Sequence, residues 1–135
     1  MEPLTITTTI VGLLAAIGKV ASLVNAISSI RHAPEAVSAA RTEVRHAEIA
    51  LRSMQSFIEN LDVSPSRQKM IQVDDLRVIL ADAMLAFSSF ESLLLRMAGT
   101  RPILWYLYQT RLEEHVNRIQ RYKLSLTLML SVLQW

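Results

Sequence analysis

The chain has no cysteine. Disulfides, thiolate metal sites and cysteine nucleophiles are therefore excluded, and the composition suits an intracellular protein. Glycine (three) and proline (four) are scarce, too few for an all-β protein that needs a turn every ~8–12 residues. Charge of one sign is also lacking. The formal net charge is only +2, so a nucleic-acid surface would have to arise from a local patch, and no dense run of cations interleaved with aromatics occurs. A long uncharged run is missing as well. A spanning helix needs ~20 apolar residues to cross a core of ~30 Å, and the uncharged stretch 3–18 makes about 24 Å of helix. It also carries Thr5, Thr7, Thr8 and Thr9. A signal peptide wants early positive charge, whereas Glu2 comes first and no Lys or Arg precedes Lys19. Constitutive insertion is not expected; conditional insertion, with Lys19 snorkelling, stays open.

What remains is apolar. Of 135 residues 51% are hydrophobic and 19% charged, with a mean hydropathy of +0.29. That excludes disorder and suits one domain over 1–135.

Four segments repeat apolar residues in steps of three and four. The first runs through Ile6, Ile10, Leu13, Ile17, Val20, Val24 and Ile27. The second runs through Val37, Ala40, Val44, Ala47, Leu51, Met54, Ile58 and Leu61. The third has Leu76, Leu80, Ala83, Phe87, Phe90, Leu94 and Met97, and the fourth Leu112, Val116, Ile119, Leu126, Leu130 and Leu133, with Lys123 in its one gap. Such spacing lines one side of a helix, and nothing alternates with period two. The expected fold is all-α, an antiparallel bundle of four to five helices in up-down order with a nearly all-apolar N-terminal helix.

The breaks agree. Pro34-Glu35 suits a helix start. Asp62-Val63-Ser64-Pro65-Ser66 reads as a mobile loop leading to Asp74-Asp75 near the start of the third helix. Gly99 offers a C′ residue and Thr100 an N-cap before Pro102, and the last segment is expected to break near 109–111. The first helix stands apart, because Val11, Leu14, Leu23 and Ile30 add apolar surface outside its stripe. A helix apolar all round belongs in a bundle core or in a membrane, and the pattern fits both a central core helix and a metastable element that can leave for lipid. Gly12/Ala16 and Gly18/Ser22, small residues four apart, permit close approach of another helix and so self-association.

Catalytic chemistry finds little support. Glu43 and His46 form half of a di-iron bundle signature, but His32 and His115 supply no second half and the pair flanks the apolar stripe. A solvated helical pair is the simpler reading. No zinc motif, phosphate loop or nucleophile elbow occurs, and Asp74-Asp75 and Glu113-Glu114 do not face each other on a helix. No catalytic residue, cofactor or metal is expected. Basic residues gather late, with Arg96, Arg101, Arg111, Arg118, Arg121 and Lys123 set against Glu113 and Glu114. An ordinary charged face accounts for them. So does a patch for anionic lipid headgroups, with Arg101, Arg111, Arg118, Arg121 and Lys123 as the candidates. Trp105, Tyr106 and Tyr108 between Arg101 and Arg111 fit either an interfacial anchor or packing at a bundle end.

The opening Met1-Glu2-Pro3-Leu4-Thr5-Ile6-Thr7, through Gly12-Leu13 and Gly18-Lys19-Val20, resembles the start of fungal HeLo-like N-terminal domains. Ile71-Gln72-Val73-Asp74-Asp75-Leu76 and Tyr122-Lys123-Leu124-Ser125-Leu126-Thr127-Leu128-Met129-Leu130 also look like that family, in matching order along the chain. These domains front STAND/NLR-type receptors and ankyrin-repeat proteins and include the type named after an azaphilone pigment cluster protein. The resemblance implies a bundle related to the HeLo domain and to the four-helix executioner of necroptosis. Such a domain is cytoplasmic and, when a signal releases it, is recruited to anionic membranes, where the N-terminal helix inserts and permeabilises. Carried over by position, that role falls on Leu4, Ile6, Ile10, Val11, Leu13, Leu14 and Ile17. The family continues past the position of Trp135 into a nucleotide-binding or repeat region, which would then be a partner in cis. The function expected is a non-enzymatic membrane-permeabilising effector of a cell-death or innate-immune-type receptor. The alternative is a helical interaction module that oligomerises without lipid. Glutamates at Leu13 and Leu14 are expected to abolish membrane activity.

Overall fold

The computed structural model describes residues 3–31, 33–59 and 67–133, with side chains described only from residue 6, from residue 75 in the third helix, and up to residue 132. Leu61, His32, the segment 62–66 and the side chains of Leu4, Asp74 and Leu133 lie outside the described residues. Helix α1 spans Pro3–Ser28, α2 Glu35–Glu59, α3 Arg67–Ala98 and α4 Gln109–Leu133, with a 3-10 segment, Pro102–Tyr108, before α4. The described residues contain no strand, and the fold is an all-α bundle.

Each helix buries the stripe that its sequence spacing draws. In α1 every residue of the stripe from Ile6 to Ile27 is buried. The same holds for Val37 to Ile58 in α2, for Leu76 to Met97 in α3 and for Leu112, Val116, Ile119 and Leu126 in α4. Together they form one continuous core. Steps of three and four keep a side chain within about half a turn of one line, so a single face of each helix meets the others.

The ends of the helices follow local chemistry. Hydroxyls of Ser28 and Ser29 donate to the carbonyls of Asn25 and Ala26 at 3.1 and 2.8 Å, satisfying carbonyls that the last turn of α1 leaves open. Pro34 cannot continue a helix, and Glu35 then places an acid in the first turn of α2, beside its positive dipole end. The C-terminus of α3 departs from expectation. Gly99 does not adopt the left-handed conformation of a C′ glycine; its N–H continues the helical pattern to the Leu95 carbonyl at 3.2 Å. Thr100 turns its hydroxyl back to the Arg96 carbonyl at 2.9 Å and so closes α3 instead of capping the 3-10 segment. Arg101, extended at φ −60°, ψ 133°, is the N-cap of that segment, and Pro102 is its first residue. Helix α3 also begins at Arg67, two turns ahead of Asp74-Asp75.

Among the described residues α1 packs on α2 and α3, α4 packs on α2 and α3, and the backbones of the diagonal pairs α1/α4 and α2/α3 stay apart across the shared core. Within each hairpin the helices run in opposite directions. Near the α1–α2 turn, Ala21, Val24 and Asn25 face Arg41, Val44 and Arg45 across one groove, as in an antiparallel hairpin. Along α2 and α4, Glu35 and Ala39 share a groove with Gln109 and Val116, while Glu43 meets Lys123 further on. These two helices therefore run parallel. Helices α2 and α3 sit on a diagonal, and two antiparallel hairpins pack side by side.

This arrangement corrects the central position expected of α1. It occupies a corner, and Val11, Gly12, Ala15, Gly18, Lys19 and Ser22 are exposed on its outward side. The physical reason lies in residue size. Apart from Val11, the non-stripe positions turned to water are small or polar and leave little apolar area there, while Leu14 and Leu23 are half-buried along the flanks.

Candidate functional site

The N-terminal helix is longer as an apolar element than its uncharged run suggests. It continues without a break through Lys19, so Ile6–Ser28 makes 23 residues, about 34 Å at ~1.5 Å per residue and enough to cross a bilayer core; an 18-residue stretch within it has a mean hydropathy of 2.0. A second span, Asp75–Ala98 within α3, is also long enough, with an 18-residue stretch of mean hydropathy 1.7. Its scattered charges, Asp82 and Glu91 among them, interrupt any long uncharged run.

Of the residues assigned to insertion, Ile6, Ile10, Leu13 and Ile17 are fully buried, Leu14 is half-buried and Val11 is 52% exposed. One helix thus presents two surfaces, a branched aliphatic stripe locked into the core and a small-residue surface turned to solvent. The close-approach pairs belong largely to the second. A Cβ at Gly18 would meet nothing within 4 Å, and Ser22 lies one turn further along the same side. A Cβ at Gly12 would lie 3.5 Å from Met84 Cε, an ordinary contact, and Ala16 packs against the core. Helix packing inside the bundle therefore does not use the small residue at Gly18. The burial of Leu13 also changes what a substitution there reports. A glutamate in that position would put an unpaired carboxylate in the core and unfold the bundle, and loss of activity would say nothing about lipid. Val11 and Ala15 are the informative positions.

The basic candidates divide. Arg101, Arg111 and Arg121 are exposed, and Arg118 is half-buried. Lys123 is turned inward and its Nζ lies 2.7 Å from Glu43 Oε2. The gap in the fourth stripe and the carboxylate flanking the second are thus each other's partner. This corrects both expectations: Lys123 is committed to an ion pair, and Glu43 is not solvated with His46. Glu43 Oε2 has no directed hydrogen bond, so the ammonium is what compensates its charge. Replacing Lys123 with Met should strand that carboxylate and destabilise the fold by about 1–3 kcal/mol, while Glu43→Met/Lys123→Met together should recover most of the loss. Urea unfolding of the single and double variants checks this; equal losses in both would mean the pair contributes nothing.

His115 packs its ring on Phe90, centroids 5.3 Å apart and planes within 11°. Burial is the main cause that pushes its pKa below the ordinary 6.5; Arg118 adds to it and Glu114 opposes it. The unfolded chain therefore takes up a proton at this residue before the folded one does. Its contribution to stability is whole above about pH 6.5 and is lost as pH falls toward the folded value. His115→Gln should flatten the fall in unfolding free energy between about pH 7 and about pH 5. An unchanged pH slope would contradict the assignment.

The end of the bundle between α3 and α4 is built by Trp105. Its ring is 2% exposed, and its Nε1 donates to the Met97 carbonyl at 2.8 Å. Of the aromatics that fit an anchor or end packing, Trp105 is packing, Tyr108 is half-buried on the core and Tyr106 is exposed. Ile103, Leu104 and Leu107, which helical spacing does not single out, are exposed beside Tyr106. Comparison with protein-family models, with curated proteins and with solved structures finds no match for this chain.

Proposed function

We propose that this domain is a non-enzymatic membrane effector whose N-terminal helix leaves the bundle and inserts into lipid, as the HeLo-like resemblance implies. One observation carries the reading. Helix α1 is long and apolar enough to span a bilayer, and it is held at a corner by its stripe and the half-buried flanks at Leu14, Ala16, Ala21 and Leu23, with its small-residue side turned to solvent. Exposing its seven buried stripe residues to water would cost roughly 10–20 kcal/mol at about 1.5–3 kcal/mol each. Hydrocarbon returns that cost because the same side chains are then buried in lipid, so a trigger need only shift the balance between two apolar environments. On this reading the domain is cytoplasmic at rest, recruited to anionic membranes when released, and self-associates there as part of a cell-death or innate-immune-type receptor. Dye release from anionic and zwitterionic vesicles tests it, comparing the parent with Val11→Glu/Ala15→Glu. The small-residue side of α1 at Gly18 and Ser22 supports a second reading, an oligomerisation module without lipid. A dimer that ignores vesicles would favour it.

A further inference from the structure

The 3-10 segment Pro102–Tyr108 is seven residues long, whereas such runs seldom exceed about four. Its period of three aligns residues i and i+3 on one ridge. Trp105 and Tyr108 form the ridge that faces the core. The same geometry forces Ile103 with Tyr106, and Leu104 with Leu107, onto two outward ridges. Their exposures are 75, 67, 39 and 63% in that order. Four large side chains adjoining at one tip form an apolar patch of a kind that folded surfaces rarely leave uncovered without a use.

Arginines flank the patch directly. Arg101 is the N-cap of the segment, Arg96 lies in the last turn of α3 and Arg111 in the first turn of α4; all are exposed. None forms an ion pair among the described residues. Arg31, exposed after α1, lies at the same end, because the start of α2 shares a groove with the start of α4. The carboxylates toward this end are Glu35 and Glu113, which line that α2–α4 groove, Glu114, next along α4, and Glu91 of α3, level with Glu114 because Phe90 stacks on His115. Apolar and aromatic side chains at a tip, with unpaired guanidinium groups around them, match a bilayer interface, where phosphates lie above hydrocarbon.

We infer that this tip is a docking surface for anionic lipid, with Ile103, Leu104, Tyr106 and Leu107 entering the interface and Arg96, Arg101 and Arg111 meeting headgroup phosphates. The step deepens the membrane reading above and rests on it for its role. It also adds an order of events. Helix α1 runs parallel to α3, so its first residues lie at the opposite end of the bundle, about 39 Å from its last at ~1.5 Å per residue over 26 residues. Docking at the tip therefore brings the domain to the membrane without inserting α1, and insertion is a separate, later step.

Flotation of the whole chain with vesicles of phosphatidylcholine, alone or with phosphatidylserine, tests the inference. The parent should float with the anionic vesicles only. Ile103→Ser/Leu107→Ser alters exposed side chains and should fold normally by circular dichroism, yet bind at least ~10-fold more weakly. Arg101→Gln/Arg111→Gln should lose about 5-fold per charge and most of the salt dependence. Val11→Glu/Ala15→Glu should still float. If the tip variant floats like the parent, or the parent floats with neither vesicle, the inference is overturned. So it is if the tip variant loses only a concentration-dependent dimer, since the surface then belongs to a second copy. Leakage separates the two proposals. A tip variant that still leaks overturns tip docking and leaves α1 insertion standing, while a parent that floats but never leaks does the reverse.

Discussion

Glutamates at Val11 and Ala15 are expected to abolish vesicle leakage while leaving the bundle folded. Both positions lie on the outward side of α1, so neither carboxylate enters the core. Glutamate is a good helix former, and at residue 15 it precedes Lys19 by four, the favourable order for an i,i+4 pair. A repulsion of a few tenths of a kcal/mol between the two glutamates is roughly offset by that pair. The folded state should therefore change by no more than about 0.5 kcal/mol. Insertion is another matter. An acidic or basic residue placed mid-membrane costs about 2.5–3.5 kcal/mol, and two cost about 5–7 kcal/mol, which suppresses the inserted population more than ~10³-fold. A folded variant that leaks like the parent would refute insertion of α1.

The second large effect concerns the tip. Trp105→Ala should destabilise the domain by about 3–5 kcal/mol, the range for removing a buried tryptophan. It also deprives the Met97 carbonyl of its indole donor. Against a typical total of about 5–15 kcal/mol this is a large fraction, and the midpoint of thermal unfolding should fall by roughly 10–20 °C. Trp105→Phe keeps much of the ring and loses mainly the hydrogen bond, so its loss should be about 1–2 kcal/mol. Differential scanning calorimetry of both variants checks the order. An alanine variant within about 1 kcal/mol of the parent would mean that Trp105 does not hold the 3-10 segment, and with it the outward ridges, in place.

The four core stripes are legible in the sequence because helix period and hydrophobic pattern are the same statement, and every described stripe position up to Leu126 except Lys123 is buried. Even Lys123 is visible as a gap, but its partner is not: Glu43 lies 80 positions away, and only the parallel packing of α2 and α4 brings them together. The corner position of α1 is hidden because its off-stripe Gly and Ala do not interrupt an apolar run as charged residues would, although a small residue in water leaves little apolar area exposed. At the tip, Trp105 and Tyr106 look alike in sequence. Which of them turns inward depends on whether the backbone repeats every 3 or every 3.6 residues, and neighbouring Pro102 and the Met97 carbonyl decide that locally. The diagonal placement of α2 and α3 has no sequence signature, because residue spacing gives the faces of helices and not their order around a core.

Depth in the membrane tests the central claim most directly. The chain has no cysteine, so Val11→Cys gives a single attachment point, exposed enough to label without disturbing the core. An environment-sensitive fluorophore there should shift to the blue with anionic vesicles, be quenched by groups buried in the acyl region, and change on the time course of dye release. Dye release with the residue 11 label still in water would contradict insertion of α1 and move the activity elsewhere in the bundle.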